Sequence, residues 1–255
     1  MNVRDKVCVV TGGASGIGLE LCTRFIEEGA YVVLSDVNEE ACHRHATRLG
    51  ALPVVADVSR EQDVADLVAA TIERFERIDL FVSNAGISID GGLGTTIDQW
   101  QRIIDVNLMS QVFAAKHAIP HMLEKGSGYL LNVASAAGLL VVFDTVSYTV
   151  TKHAAVGFTE WLATTYGDQG IGVSVLCPAA VRTPILEGKE GTPEAQDAIS
   201  TIQLADVVMA GLADERFMIS THAWVLERFA VKGRDYDRYI RDLRAARALT
   251  EVSLA

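Results

Sequence analysis

Apolar residues fall in two rhythms along this chain. Short β-rich apolar runs at 7–10, 31–35, 52–55, 80–83, 129–133 and 173–177 read as strands buried on both faces. Between them the apolar positions recur at helical spacing. One such pattern passes through Leu19, Leu21, Phe25 and Ile26 to a stop at Gly29, another covers 39–49 before Gly50, and a third covers about 61–75. A longer one runs from 96 to 125 through Ile97, Trp100, Ile103, Ile104, Val106, Leu108, Phe113 and Ala114. The last runs through Val156, Phe158, Trp161 and Leu162 to about Tyr166, and 217–220 adds a seventh, edge strand. Strand and helix in alternation predict an α/β fold. The expected form is a doubly wound parallel sheet of about seven strands with helices on both faces and ligands at the strands' C-terminal ends.

The first turn carries the first chemistry. Thr11-Gly12-Gly13-Ala14-Ser15-Gly16-Ile17-Gly18 lies between a strand and a helix, so its backbone N–H groups and a helix N-terminus face the same point. That arrangement predicts a dinucleotide site. Asp36 ends the second strand eighteen residues beyond Gly18, where an acid meets the hydroxyls of an adenosine ribose. Its carboxylate repels a 2′-phosphate, and neither Ser15 nor Val37 supplies a cation, so NAD is expected in preference to NADP. Asp57 and Val58 close the third strand where an adenine would lie, although Asp57 could equally cap the turn ahead of it.

Composition narrows the function classes. The 255 residues, 49% hydrophobic, suit one domain over 1–255 with a charged helical tail at 222–255. That tail's arginines and aspartates read as a solvated face. A net charge of −11 argues against nucleic acid and against an anionic membrane surface. Cys8, Cys22, Cys42 and Cys177 form no Cys-x-x-Cys pair, the histidines lack metal spacing, and no metal site is expected. No signal-peptide pattern is present, and the cytoplasm is the expected compartment.

Tyr148 and Lys152 lie four residues apart, about 6 Å along one face of a helix. A fixed cation there is expected to lower the phenol's pKa from its usual value of about 10, so that the tyrosine can exchange a proton with an alcohol oxygen. Alone the pair is also what an amphipathic surface shows, and Asn107 alone is an ordinary helix asparagine. The set is more specific. Thr11-Gly12-x-x-x-Gly16-x-Gly18, Asn84-Ala85-Gly86, Asn107, Ser135, Tyr148-x-x-x-Lys152 and Pro178-x-x-Val181-x-Thr183 occur in one order and spacing. Over nearly its whole length apart from the tail, the chain resembles the short-chain dehydrogenase/reductase family, whose fold is of the Rossmann type.

The resemblance implies roles for these positions. Tyr148 would be the general acid/base, Lys152 would hold the nicotinamide ribose, Ser135 would bind the substrate oxygen, and Asn107 would hold a water that links Lys152 to solvent. Gly12, Ser15, Gly16, Ile17 and Gly18 would meet the pyrophosphate. Asp36 and Val37 would meet the ribose, and Asp57 and Val58 the adenine. Asn84, Ala85 and Gly86 would meet the inner ribose, and Pro178, Val181 and Thr183 the carboxamide. Leu139, Val142, Phe143, Ala179 and Leu186 would wall an apolar substrate site, with 185–201 as a mobile flap.

The expected activity is NAD-dependent interconversion of a secondary alcohol and a ketone on a hydrophobic substrate (steroid-like, terpenoid or aromatic). Reduction of an oxoacyl or enoyl thioester and a non-catalytic dinucleotide sensor are the alternatives. Three positions depart from the family pattern: Ser83, Ala179 in place of a glycine, and Ser220-Thr221-His222-Ala223 where Val-Asp-Gly-Gly is common. Small residues on the helix after Tyr148 point to a homodimer, or a homotetramer.

Overall fold

A computed structural model describes residues 1–186 and 196–253. Seven parallel strands form one sheet in the order β3-β2-β1-β4-β5-β6-β7. They are β1 (Val7–Thr11), β2 (Tyr31–Asp36), β3 (Leu52–Val55), β4 (Leu80–Ser83), β5 (Gly128–Val133), β6 (Ile171–Cys177) and β7 (Met218–Ser220). The order reverses between β1 and β4, and a sheet of this kind opens a crevice at such a point. Helices α1 (Gly16–Glu27), α2 (Glu39–Leu49), α3 (Glu61–Phe75), α4 (Ile97–Ile104), α5 (Ser110–Lys125) and α6 (Val146–Tyr166) connect the first six strands. Then come α7 (Thr201–Ala213), between β6 and β7, and the tail helices α8 (Ala223–Arg234) and α9 (Tyr236–Ser253).

The two-residue alternation of the strands decides which helix covers which face. Cys8, Val10, Val32, Leu34, Leu80 and Val82 point to one side, where Leu21 and Phe25 of α1 and Leu204 and Val208 of α7 bury them. Val9, Val33, Phe81 and Leu130 point to the other, under Leu67 of α3 and Ala118 and Met122 of α5. Burying a side chain such as Phe81 contributes about 1.5–3 kcal/mol. The predicted helix ends coincide with real caps. Asn38 accepts the Ala41 N–H at the start of α2, and Gly50 ends it in the left-handed region at φ 72°.

The two ends of the sheet differ in character. At the N-terminal ends of β1 and β4, buried Asp79 accepts the Val7 N–H at 2.8 Å and pairs with Lys6, Arg77 and Lys125. That end is closed by charge. The C-terminal ends carry Thr11, Ser83, Asn84, Ser135 and Pro178 and no such ion-pair cluster among the described residues.

Three departures from the sequence reading bear on the site. The 96–125 helix is broken into α4 and α5 by a π-helical turn at Asp105–Met109, with Asn107 at its centre. A 3₁₀ turn, Ala136–Gly138, links β5 to the segment before α6. Helix α7 occupies sequence that the reading left without an element. It announces itself by a capping box, with Ser200 accepting the Gln203 N–H at 3.1 Å. The two ends of the expected 185–201 flap belong to regular elements, a 3₁₀ turn at Pro184–Leu186 and α7 from Thr201. Ile199 accepts the Arg182 N–H at 2.9 Å and bridges Val181, while 187–195 lie outside the described residues. No described helix is long and apolar enough to cross a membrane.

Candidate active site

The glycine turn after β1 is tight enough to require its glycines. Gly12 adopts φ +62°, and a Cβ there would stand 2.9 Å from Ala85 Cα. A Cβ at Gly18 would stand 2.1 Å from the Gly12 carbonyl oxygen. Gly16, at φ +50°, opens α1 and faces Thr183, whose methyl would lie 3.3 Å from an added Cβ. The turn thus meets the 84–86 segment on one side and the β6 loop on the other. Exposed Ser15 stands at the helix N-cap without a side-chain capping bond. The first-turn N–H groups and the room left by the glycines suit a pyrophosphate. Ile17 packs inward on the core beside the turn.

Asp36 ties the turn to β2. One carboxylate oxygen accepts the Ala14 N–H at 3.0 Å and the other accepts the Asn38 N–H at 3.0 Å. Among the described residues it forms no ion pair, and its neighbour Val37 is exposed. Asp57 behaves as a cap. It accepts the N–H and hydroxyl of Ser59 at 3.0 and 2.7 Å and lies 3.5 Å from Arg102. Burial works against its charge, yet Ser59 and Arg102 hold the carboxyl below its usual range. Val58 sends its side chain into the core, which leaves its backbone for the contact with adenine that the resemblance implies.

Asn84 is held by Thr11. Its N–H donates to the Thr11 hydroxyl at 3.0 Å, and its side-chain amide donates to the Thr11 and Gly12 carbonyls at 2.9 and 3.2 Å. Fully buried Asn107 clamps the next residues. Its Oδ1 accepts the Ile87 N–H at 2.8 Å, and its Nδ2 donates to the Ile87 carbonyl at 2.9 Å. The π-helical turn is what aims it there. The resemblance assigns Asn107 a water relay to Lys152; its side-chain amide holds the Ile87 backbone and also donates to Thr151 Oγ1 at 3.3 Å. A Cβ on Gly86 would touch Asn107 Oδ1 and Lys152 Nζ, each at 3.4 Å, so glycine keeps the two groups in one space.

Tyr148 and Lys152 lie one turn apart on α6, with the ammonium 5.6 Å from the phenol ring centroid. Lys152 is buried and donates to the Val133 carbonyl at 3.0 Å. Burial drives its pKa down to about 8. Burial also pushes the Tyr148 phenol up, against a lowering hydrogen bond with Ser135. The net shift of the phenol is thus upward, opposite to the direction expected of the lysine alone. Desolvation outweighs an ammonium that points at a carbonyl rather than at the phenol oxygen. Ser135 Oγ accepts the Ala137 N–H at 3.1 Å and donates to the Pro178 carbonyl at 3.4 Å, joining the ends of β5 and β6.

Phenol, ammonium, hydroxyl and glycine cradle thus share the C-terminal edge of β1, β4, β5 and β6. A profile for short chain dehydrogenases matches residues 6–193 of the chain. The chain belongs to the short-chain dehydrogenase/reductase family. As a member it is an oxidoreductase, and its relatives are consistent with that. It is 32% identical to a 2-(R)-hydroxypropyl-CoM dehydrogenase of Xanthobacter autotrophicus, over 88% of this chain and 97% of that enzyme. It is 35% identical to 3beta-hydroxysteroid dehydrogenase 2 of Eggerthella lenta, over 82% of this chain and 84% of that one. A short-chain dehydrogenase/reductase from Burkholderia phymatum, solved in complex with NAD, superposes with a TM-score of 0.86 at 29% identity, covering 93% of this chain and 96% of that one.

Within this family member, the predicted substrate wall is only partly one surface. Leu139 is core at 1% exposure, so it backs the wall rather than lining it. Val142 is 42% exposed, while Phe143, Ala179 and Leu186 are half-buried. Residues 220–224 form a network that sequence reading missed. Ala179 donates its N–H to the Thr221 hydroxyl at 3.1 Å, and that hydroxyl lies 2.7 Å from His222 Nδ1. His222 Nε2 lies 3.0 Å from the Asp197 carbonyl, and Trp224 donates to the Asp197 carboxylate at 2.9 Å. The signal available was the polar Ser-Thr-His run at the end of a short strand.

The tail corrects the sequence reading most. Its charges are not all a solvated face: Lys232 is 7% exposed and Tyr239 is 6% exposed. Both reach the segment before Tyr148.

Proposed function

We propose that this enzyme interconverts a secondary alcohol and a ketone with NAD, in preference to NADP, on a hydrophobic substrate. The observation that carries the reading is the convergence of Ser135, Tyr148 and, one turn on, Lys152 at the C-terminal edge of the sheet, with the glycine cradle across the crevice. Ser135 and Tyr148 hold the substrate oxygen. In the oxidation Tyr148 takes the hydroxyl proton as the C–H bond of the carbinol breaks; in the reduction it returns that proton to the oxygen. When bound, the nicotinamide accepts or supplies the hydride. Gly12, Gly16 and Gly18 leave room for the pyrophosphate, and Lys152 and the 84–86 segment border the same space. Asp36 favours a ribose with free hydroxyls because a 2′-phosphate would meet its carboxylate.

Half-buried Phe143 and exposed Val142 support an apolar substrate, as does the relative that acts on 3β-hydroxysteroids by name. On α6, exposed Val150 and Trp161 flank Gly157, above which a Cβ would meet nothing, and this face supports a homodimer. Four free, buried cysteines suit the cytoplasm.

The test is thermal shift with NAD⁺ and NADP⁺, then absorbance of the reduced nicotinamide across hydrophobic secondary alcohols. NAD⁺-selective stabilisation with turnover is expected; stronger stabilisation by NADP⁺ overturns the reading of Asp36. Because burial raises the phenol's pKa, its base form needs alkali. Oxidation should therefore accelerate from pH 7 to 10 while ketone reduction, using the protonated phenol, stays level; initial rates across that range would check both.

A further inference from the structure

The segment 139–145 joins the Ser135 turn to the helix that carries Tyr148, so its position sets the space above both. Its backbone is held from two sides. On the inner side, the Val142 N–H donates to Thr149 Oγ1 at 3.3 Å, and the Asp144 carbonyl accepts the Gly91 N–H at 2.8 Å. On the outer side the partners come from the C-terminal tail. Lys232 donates to the Leu139 carbonyl at 2.7 Å, and the Val141 N–H donates to the Tyr239 hydroxyl oxygen at 3.1 Å. The Arg247 guanidinium stands 6.0 Å from the Phe143 ring centroid. Val225 and Tyr239 of the tail share a cluster with Leu139, Leu140, Ala155 and Val156.

Lys232 is the unusual member. No carboxylate pairs with it among the described residues, although a buried ammonium is costly without one. Its compensation is a carbonyl, two tyrosine rings at 5.6 and 5.8 Å, and His153 Nε2 at 3.1 Å. His153 follows Lys152 directly. Its Nδ1 lies 2.9 Å from the Thr149 carbonyl, which places the proton there and leaves Nε2 as the acceptor for Lys232. One tail side chain therefore grips both the 139–145 segment and the helix bearing Tyr148 and Lys152. An apolar residue would fill this place at lower desolvation cost, so stability alone does not account for an ammonium here.

We propose that the α8–α9 hairpin is a fixed outer wall of the substrate site. Lys232 is its positioning residue, setting where Val142 and Phe143 lie relative to Ser135 and Tyr148. The wall presents these two side chains to the apolar part of the alcohol, and only this last point rests on the function proposed above.

Two full-length variants test it, Lys232→Met, which keeps the length and removes the charge, and Tyr239→Phe, which removes only the hydroxyl. Hydrogen–deuterium exchange of peptides across 139–145 should accelerate about fivefold or more in each, with 84–87 unchanged. Unchanged exchange at 139–145 in both variants overturns the clasp, whether or not a substrate is known. For any alcohol the wild type oxidises, KM should rise about tenfold in Lys232→Met, with kcat and the NAD⁺ dissociation constant within about twofold. An equal loss of NAD⁺ affinity would show a general structural role and overturn the assignment. A wild type silent on every alcohol counts against the proposed reaction, while the exchange measurement still decides the clasp.

Discussion

The cofactor side and the substrate side of this crevice are built by different means. On the cofactor side, over β1, β2 and the 84–87 segment, the contacts join strand ends that lie side by side in the sheet and are made largely to backbone. Gly12, Gly16 and Gly18 supply space, Thr11 and Asn84 bond neighbouring main chain, and Asp36 reaches back to Ala14. On the substrate side the 139–145 and 178–183 segments are held by side chains from far along the chain. Lys232, Tyr239 and Thr221 lie 93, 98 and 42 residues from their partners Leu139, Val141 and Ala179. A cofactor shared across a family needs an unchanging backbone cradle. A substrate wall can be re-aimed by replacing the element that leans on it.

The comparison can be broken or sharpened by substitution. The largest effect is expected where the two sides meet. Tyr148→Phe should lower turnover by about 10²–10⁴-fold while NAD⁺ affinity, measured by calorimetry, stays within about twofold. Retained turnover would remove Tyr148 from the mechanism. Gly18→Ala tests the cofactor side alone. Its methyl would face the Gly12 oxygen at 2.1 Å and Asn84 Nδ2 at 2.5 Å, so the turn must shift. A loss of about 1–3 kcal/mol in urea unfolding, with weakened NAD⁺ binding, is expected.

Asp36→Ala should be milder. It frees the Ala14 and Asn38 N–H groups and should shift the NAD⁺ to NADP⁺ affinity ratio by about tenfold toward NADP⁺, read by titration. An unchanged ratio would detach cofactor choice from Asp36.

The last effect is a gain in stability. Lys152 binds its proton less tightly in the folded protein, with a pKa of about 8 against the usual 10.5. Between those values the unfolded chain holds the extra proton, so stability rises with pH. Lys152→Met should therefore raise neutral-pH stability by about 1–3 kcal/mol and flatten that rise, even as activity is lost. Denaturant unfolding from pH 7 to 10.5 measures it.

The same division explains what could be read in advance. The strands and α1–α3 and α6 fall where periodicity and glycine stops put them, because each is decided by its own buried face. Within the site, Gly12, Asp36, Ser135, Tyr148 and Lys152 were legible as a spaced set. Helix α7 carries cues of its own in the Ser200 and Gln203 capping pair and the spacing of Leu204, Val208 and Leu212. The π-helical turn at Asn107 was not legible, since no local pattern distinguishes it from continuous helix. The capping role of Asp57 was legible, with Ser59 two residues on; the approach of Arg102 was not, because it reaches Asp57 only in the fold.

By itself the sequence determined the alternation of elements, the sheet's crevice and the residues that line it, because these follow from spacing within a few turns or strands. Tertiary structure alone decided the electrostatics and the wall. The Tyr148 phenol rises where its spacing from Lys152 alone would lower it, and Lys152 drops, because burial depends on everything packed around them. Lys232 reads as a surface charge in its own helix and becomes a buried clasp only when that helix meets Leu139 and His153. Contacts between distant segments carry no local signal, so the fold alone reveals them.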